Sequence, residues 1–261
     1  TLRLCQVRQE TDPASELARL SQHRITALTY EDKEYPQRLL ELRDGPAVLY
    51  VRGTLPTDDS PVVAVVGTRS PTTYGRQLAV EMVDGLVEHG VVVASGLARG
   101  IDTVAHRATL ERDGTTLAVL ACGLDMVYPS ENSSLARRII DAGALISEYP
   151  PGVKPRPESF PMRNRILSGL SRGVLVIEAG ERSGALITAH QALDQNREVC
   201  AVPGSVLSPQ SRGTNLLIRS GEARLVTCPA DVLEEIGMQI TQPTARPTLQ
   251  QADAVQARIL G

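Results

Sequence analysis

The chain has no tryptophan, one phenylalanine and only two lysines, Lys33 and Lys154, among 261 residues. Its core must therefore be aliphatic, and arginine makes up almost all of its 27 basic side chains. Long apolar runs are also missing. The stretches of four to six residues are interrupted by Gly or Arg, far short of the ~20 residues of a membrane span, so no membrane association is expected. Cys5, Cys122, Cys200 and Cys228 lie far apart, without the close pairs of zinc or redox motifs, and read as buried, reduced thiols. No basic stretch followed by an apolar one opens the chain, so no signal peptide is expected; Thr1 in place of Met points to trimming, and the cytoplasm is the expected compartment.

Net charge is −3, which argues against a general nucleic-acid sponge, because sequence-independent affinity comes from neutralising phosphates. Distribution matters more than the sum. Guanidinium forks suit bidentate phosphate contacts and stacking on bases, although a GC-rich genome accounts for the same bias.

From Pro61 onward, β-branched runs alternate with amphipathic stretches. Residues 62–66 read as a buried strand ending at Gly67, after which Leu78, Ala79, Met82, Val83, Leu86 and Val87 repeat at helical spacing. Further strands are expected over 91–94, 116–120, 145–147, 174–178 and 199–202. Six strands with crossover helices predict an α/β fold with a doubly wound, mostly parallel sheet. Residues 17–42 read as helices and turns, and 46–53 as an edge strand leading in. After Gly237 the composition turns to Gln, Thr and Pro, a linker, before a short helical pattern at Leu249, Val255 and Ile259. The expected organisation is a small N-terminal helical lobe over 1–50, a core over 51–238, and a linker with the start of a truncated C-terminal extension over 239–261.

In an open parallel sheet ligands bind beyond the carboxyl ends of the strands. Gly67, Thr68, Arg69 and Ser70 follow the first strand, and Ser95, Gly96, Leu97, Ala98, Arg99, Gly100, Ile101 and Asp102 follow the second. Small residues let a ligand approach the backbone, helix-start amides favour an anion, and each loop adds one guanidinium. Between Gly152 and Arg172 lie Lys154, Arg156, Arg163, Arg165 and Arg172 against one acid, Glu158. Phe160 stands among them, in a segment read as a loop stiffened by Pro150, Pro151, Pro155, Pro157 and Pro161. One aromatic among guanidinium groups suits single-stranded nucleic acid, since bases stack on the ring while cations follow the backbone. The bland alternative is that Phe160 plugs the core and the arginines are solvated.

Other chemistries find little support. Gly67 is followed by no glycine until Gly75, against the dinucleotide fingerprint, and neither lysine follows a glycine as a P-loop requires. Ser95 has Val93 where a nucleophile elbow needs glycine. His23, His89, His106 and His190 are dispersed. No catalytic residue, metal or cofactor is therefore expected. Glu178 ends a strand beside a glycine-rich turn running through Ser183 and Gly184. It fits a glycosyl-cleaving acid, an orienter of the neighbouring arginines, or a group capping or salt-bridging Arg165 or Arg182 inside the sheet rim.

These segments resemble the DNA-processing protein A (DprA) family. The resemblance rests on Gly67-Thr68-Arg69-Ser70 with Tyr74-Gly75, Ser95 to Asp102, Phe160 to Ile166 with Gly169-Leu170-Ser171, Glu178-Ala179, Ser183 to Leu186 with Thr188-Ala189, Pro203-Gly204, and Gly213-Thr214-Asn215 with Leu217-Ile218. It covers roughly 34–237. It implies an extended Rossmann-like core that binds single-stranded DNA without catalysis, dimerises as a homodimer, and hands the strand to a RecA-type recombinase in natural transformation. Duplex DNA is a further possible partner. The implied pocket falls on Arg69, Arg156, Phe160, Arg163, Asn164 and Arg165. Many relatives carry a sterile-alpha-motif-like or helix-hairpin-helix-like lobe before this core and a winged-helix domain after it; here the first looks shortened and the second stops at Gly261.

The expected mechanism has Arg69 and Arg163 clasping phosphates, helix starts after Gly67 and Ser183 donating amides, and Phe160 stacking a base. Three to five neutralised phosphates would give a salt slope of about −2 to −3.5. The rival is an enzyme. The loops resemble, more weakly, the lysine-decarboxylase-like fold of nucleotide phosphoribohydrolases, although their Pro-Gly-Gly-x-Gly-Thr-x-x-Glu signature is not present.

Overall fold

The computed structural model describes residues 12–238. Strands β3 (Val62–Val66), β4 (Val92–Ser95), β5 (Thr116–Leu120), β6 (Ala144–Ser147), β7 (Gly173–Val176) and β8 (Glu198–Ala201) realise the six expected runs. Almost every residue in them is buried, as a sheet covered on both faces requires. Alternation divides β3 between two cores. Val62, Ala64 and Val66 join one cluster with Ile166, Leu167 and Ala189, while Val63 and Val65 join the other with Ala79, Met82 and Ala105.

Among the described residues the sheet has nine strands, in the order β1 (Thr26–Thr29), β2 (Val48–Gly53), β6, β5, β4, β3, β7, β8 and β9 (Arg224–Leu225). The chain winds outward from β3 through β4, β5 and β6, crosses back to β7 beside β3, and continues to β8 and β9 (Arg224–Leu225). All these pairings are parallel. Helices α3 (Thr73–Glu88) and α4 (Ile101–Glu111) belong to one face, whereas α6 (Ser159–Leu170) and α7 (Gly184–Asp194) pack on the other. The loops after β3 and β7 therefore diverge to opposite sides, and a crevice opens between them.

The N-terminal expectation needs correction. Helix α1 (Pro13–Gln22) and the short α2 (Gln37–Leu40) flank a strand, β1 (Thr26–Thr29), inside the stretch read as helices and turns. This strand pairs antiparallel with β2 (Val48–Gly53), which pairs antiparallel with β6. Residues 26–53 thus extend the main sheet, and β2 is an inner strand. The cause is visible in β2, where Leu49 and Val51 are buried between more open neighbours. After β6 come α6 and the β7 crossover, and α5 (Ser133–Ala142), α8 (Arg212–Arg219) and α9 (Pro229–Glu235) complete the helices among the described residues. The linker and C-terminal extension expected over 239–261 lie outside the described residues, as does Cys5. Cys122 and Cys200 are buried free thiols, and Cys228 is half-buried. No helix among the described residues is long and apolar enough to cross a membrane.

Candidate nucleic-acid interface

A cleft of about 560 Å³ fills the crevice between the β3 and β7 loops. Its walls bring together Gly67, Thr68 and Arg69 after β3, Phe160, Arg163 and Asn164 on α6, and Ser183 and Gly184 at the start of α7. These eight expected residues come from three separated stretches of sequence. Arg182 and Asp102 also line the cleft, so three guanidinium groups face one carboxyl.

The α6 segment was expected to be a loop because five prolines lie in and around it. Only Pro161 lies within the helix, in the first turn, where backbone N–H groups have no intrahelical partner and a proline costs no hydrogen bond. Helical spacing then sorts the side chains. Phe160, Arg163, Asn164 and Leu167 share the face toward the cleft. Arg165 points elsewhere, where its Nη2 donates to Glu148 Oε1 at 2.6 Å and Nε lies 3.4 Å from Asp44. That buried side chain belongs to the packing of α6.

Phe160 is half-buried, with the Arg69 guanidinium 5.6 Å from its ring centroid and the Tyr128 ring 5.7 Å away at 56°. A cation held over a ring face is attracted by its quadrupole, and the outer guanidinium plane offers a further stacking surface. Arg69 itself is exposed. The residue before it is fixed from both sides, since Thr68 N–H donates to Glu178 O at 2.7 Å and Thr68 O accepts from Ile101 N–H at 3.2 Å. Gly100, at φ +81°, allows this approach, because a Cβ there would strike the Thr68 and Arg69 backbone.

Arg163 differs from the expected exposed clasp. It is 5% exposed, and its Nη1 donates to Gly96 O at 2.7 Å and to Val119 O, tying α6 to the ends of β4 and β5. Its Nε donates to Asn164 Oδ1 at 3.1 Å. Asp102, in the first turn of α4, accepts from Gly96 N–H at 3.1 Å and Ala98 N–H at 3.3 Å. Burial pushes its carboxyl above the usual carboxylate range, opposed by the Arg163 guanidinium and those amides. A Cβ on Gly96 would collide with both Arg163 and Asp102, so the glycine lets the two approach.

Ser183 caps α7, its Oγ accepting from Ala185 N–H at 3.3 Å, and Gly184 opens onto free space. The positive end of an eleven-residue helix therefore borders the cleft. Among the described residues, no group of three or more His, Cys, Asp or Glu side chains could hold a metal.

Four expected residues lie outside the cleft wall besides Arg165. Arg99 makes two 2.8 Å bonds to Glu131, Ser70 donates its N–H to Thr68 Oγ1, and Lys154 and Arg156 are exposed in the loop before α6. Glu178 also faces away. Its carboxylate accepts from Thr72 N–H at 2.9 Å and Thr72 Oγ1 at 2.6 Å, and it borders a second hollow with Tyr74 and Ser211. The capping role is the one this geometry fits, through Thr72, the N-cap of α3, with no arginine attached among the described residues. Tyr128 carries no spacing signal in the sequence; Arg182, read there only as a partner for Glu178, and Asp102, read within a motif, had no role in the cleft.

The pattern of the DNA recombination-mediator protein A family matches residues 26–237. DNA processing protein DprA of Bacillus subtilis is 42% identical over 231 residues, covering 87% of this chain and 77% of the relative. Protein Smf of Escherichia coli is 44% identical over 223 residues, of which this chain spans 59% of the relative's length. Among solved structures, DNA processing protein A of Streptococcus pneumoniae superposes with a TM-score of 0.78 at 42% identity, covering 85% of this chain and 78% of that one. That of Helicobacter pylori, solved for its single-stranded DNA binding mode, gives 0.72 at 30% identity, covering 80% and 94%. The matched region starts at β1, includes both antiparallel strands and every wall of the cleft, and ends after α9: the chain belongs to the DNA recombination-mediator protein A family.

Proposed function

We propose that this protein binds single-stranded DNA in the cleft between the β3 and β7 loops, without chemical turnover, and passes the strand to a RecA-type recombinase during natural transformation. One observation carries this reading: the Arg69 guanidinium lies on the Phe160 ring at the wall of a cleft bordered by the N-terminal end of α7. Arg69 and Arg182 contact phosphates, the ring and guanidinium stack a base, and the α7 amides receive a backbone oxygen. The single-stranded DNA binding mode described for the Helicobacter pylori relative supports the ligand, and the mediator role of the family supports delivery to a recombinase. The protein acts in the cytoplasm as a homodimer. The reading without turnover is supported by the relatives, which are described by DNA processing and single-stranded DNA binding.

Fluorescence titration with short oligothymidine and with blunt duplex of equal length tests the assignment. The single strand is expected to bind more tightly, and Arg69→Ala to weaken it while flattening the salt dependence by about 0.7 in slope, one phosphate contact. Equal binding by Arg69→Ala overturns the placement. Release of adenine from AMP, abolished in Glu178→Ala, would instead establish the phosphoribohydrolase reading.

A further inference from the structure

Arg163 and Asn164 are neighbours on α6, and both line the cleft. Arg163 is buried, with hydrogen bonds to Gly96 O, Val119 O and Asn164 Oδ1. A guanidinium has donors only, so the amide atom facing its Nε must be the oxygen. This fixes which way the Asn164 amide is turned. Its Oδ1 is held from behind at 3.1 Å, and Nδ2 has no hydrogen-bond partner among the described residues. Asn164 lines the cleft between Phe160 and Leu167.

We infer that Arg163 is a positioning residue: its Nε–H locks the Asn164 amide so that Nδ2 stands in the cleft as a fixed donor to an acceptor oxygen of the bound strand. The inference rests on the single-stranded DNA reading above and specifies how α6 takes part in it. The guanidinium is screened from the strand by its own bonds to the ends of β4 and β5. Asp102 lies beside the guanidinium at Gly96, and its carboxyl favours the charged form of Arg163. Preorganisation of this kind improves affinity by removing the cost of ordering a side chain on binding.

The test is a double-mutant cycle on oligothymidine affinity with Arg163→Lys and Asn164→Ala, each checked by thermal unfolding. Lysine keeps the charge but lacks the fork that holds both the carbonyls and Asn164. Each single variant is expected to lose about tenfold in affinity, the size of one charge-assisted hydrogen bond, and the double variant to lose no more than either. Losses that multiply in the double variant, or full affinity in Arg163→Lys, would overturn the positioning role and return Arg163 to direct phosphate contact. A second measurement covers the case in which Arg163→Lys does not fold. In side-chain nitrogen NMR of the unmodified protein, oligothymidine is expected to shift the Asn164 Nδ2 resonance and leave Arg163 Nε in place. The reverse pattern contradicts the inference. Failure of the unmodified protein to bind oligothymidine at all would instead defeat the functional reading on which the inference stands.

Discussion

Phe160 is the side chain whose loss should separate stacking from charge. Its ring is half-buried between Arg69 and Tyr128, so truncation removes a surface for a base without removing a cation. Phe160→Ala is expected to cost ~1–3 kcal/mol of oligothymidine binding with little change in salt slope; affinity equal to that of the unmodified protein would remove the ring from the account. His106 offers a different single-residue test. It lies wholly buried on α4, its Nδ1 2.7 Å from Thr116 Oγ1, which donates to Val93 O, so the ring nitrogen must be the donor. Burial, and then the Arg163 guanidinium, pushes the imidazole down from 6.5 to about 3. Between those values the unfolded chain binds a proton that the folded chain refuses. Stability therefore falls as pH drops from 6.5 toward 3 and is unaffected above, by on the order of 4 kcal/mol across the window. The raised Asp102 carboxyl acts with the opposite sign, favouring the fold as it protonates. Thermal unfolding at pH 4 and pH 7 should show a smaller difference in His106→Gln than in the unmodified protein; an identical difference would mean that the imidazole does not govern this range.

At the scale of elements, the decisive joints are helix starts. The N-cap of α3, Thr72, is gripped by Glu178 from the end of β7, and Gly75 in the first turn leaves room for that carboxylate. Gly75→Ala places a methyl against it and is expected to destabilise the fold by ~1–3 kcal/mol in denaturant unfolding, as overpacking does. A neutral result would show that Glu178 can relocate. Ser183→Ala should cost about 0.5–1 kcal/mol of stability, the low end for an N-cap given its 3.3 Å bond, and weaken the strand's contact with α7. Helix α6 shows where sequence reading stops. The prolines and the five basic residues against one acid between Gly152 and Arg172 argue for an ordered basic loop, whereas the same residues read at a period of 3.6 put Phe160, Arg163 and Asn164 on one face and Arg165 on another. That division was available in the spacing. What the sequence did not carry was the burial of Arg163, because its carbonyl partners, Gly96 and Val119, lie 67 and 44 residues away.

Across the whole molecule, the parallel strands β3 to β8 were legible because almost every residue in them is buried and most are apolar, whereas β9, two exposed residues, was not. Of the antiparallel margin, β2 was legible as a strand over 46–53 but not as an inner one, and β1 was not legible at all. Strand β1 is four residues long with two exposed, a pattern no different from a turn until β2 pairs with it. The winding order also decides the function proposed here, since the reversal between β3 and β7 is what brings Arg69 and the α7 terminus to one crevice. Because Arg163 and Arg165 are buried and Arg99 is paired with Glu131, fewer cations face the strand than the sequence alone suggested. Two to three phosphate contacts now set the expectation. The affinity of the protein for short oligothymidine, measured across a series of salt concentrations, is the most direct test. A slope of log affinity against log salt of about −1.4 to −2.1 is predicted, at ~0.7 per contact. A slope near zero, or no measurable affinity at low salt, would contradict the account.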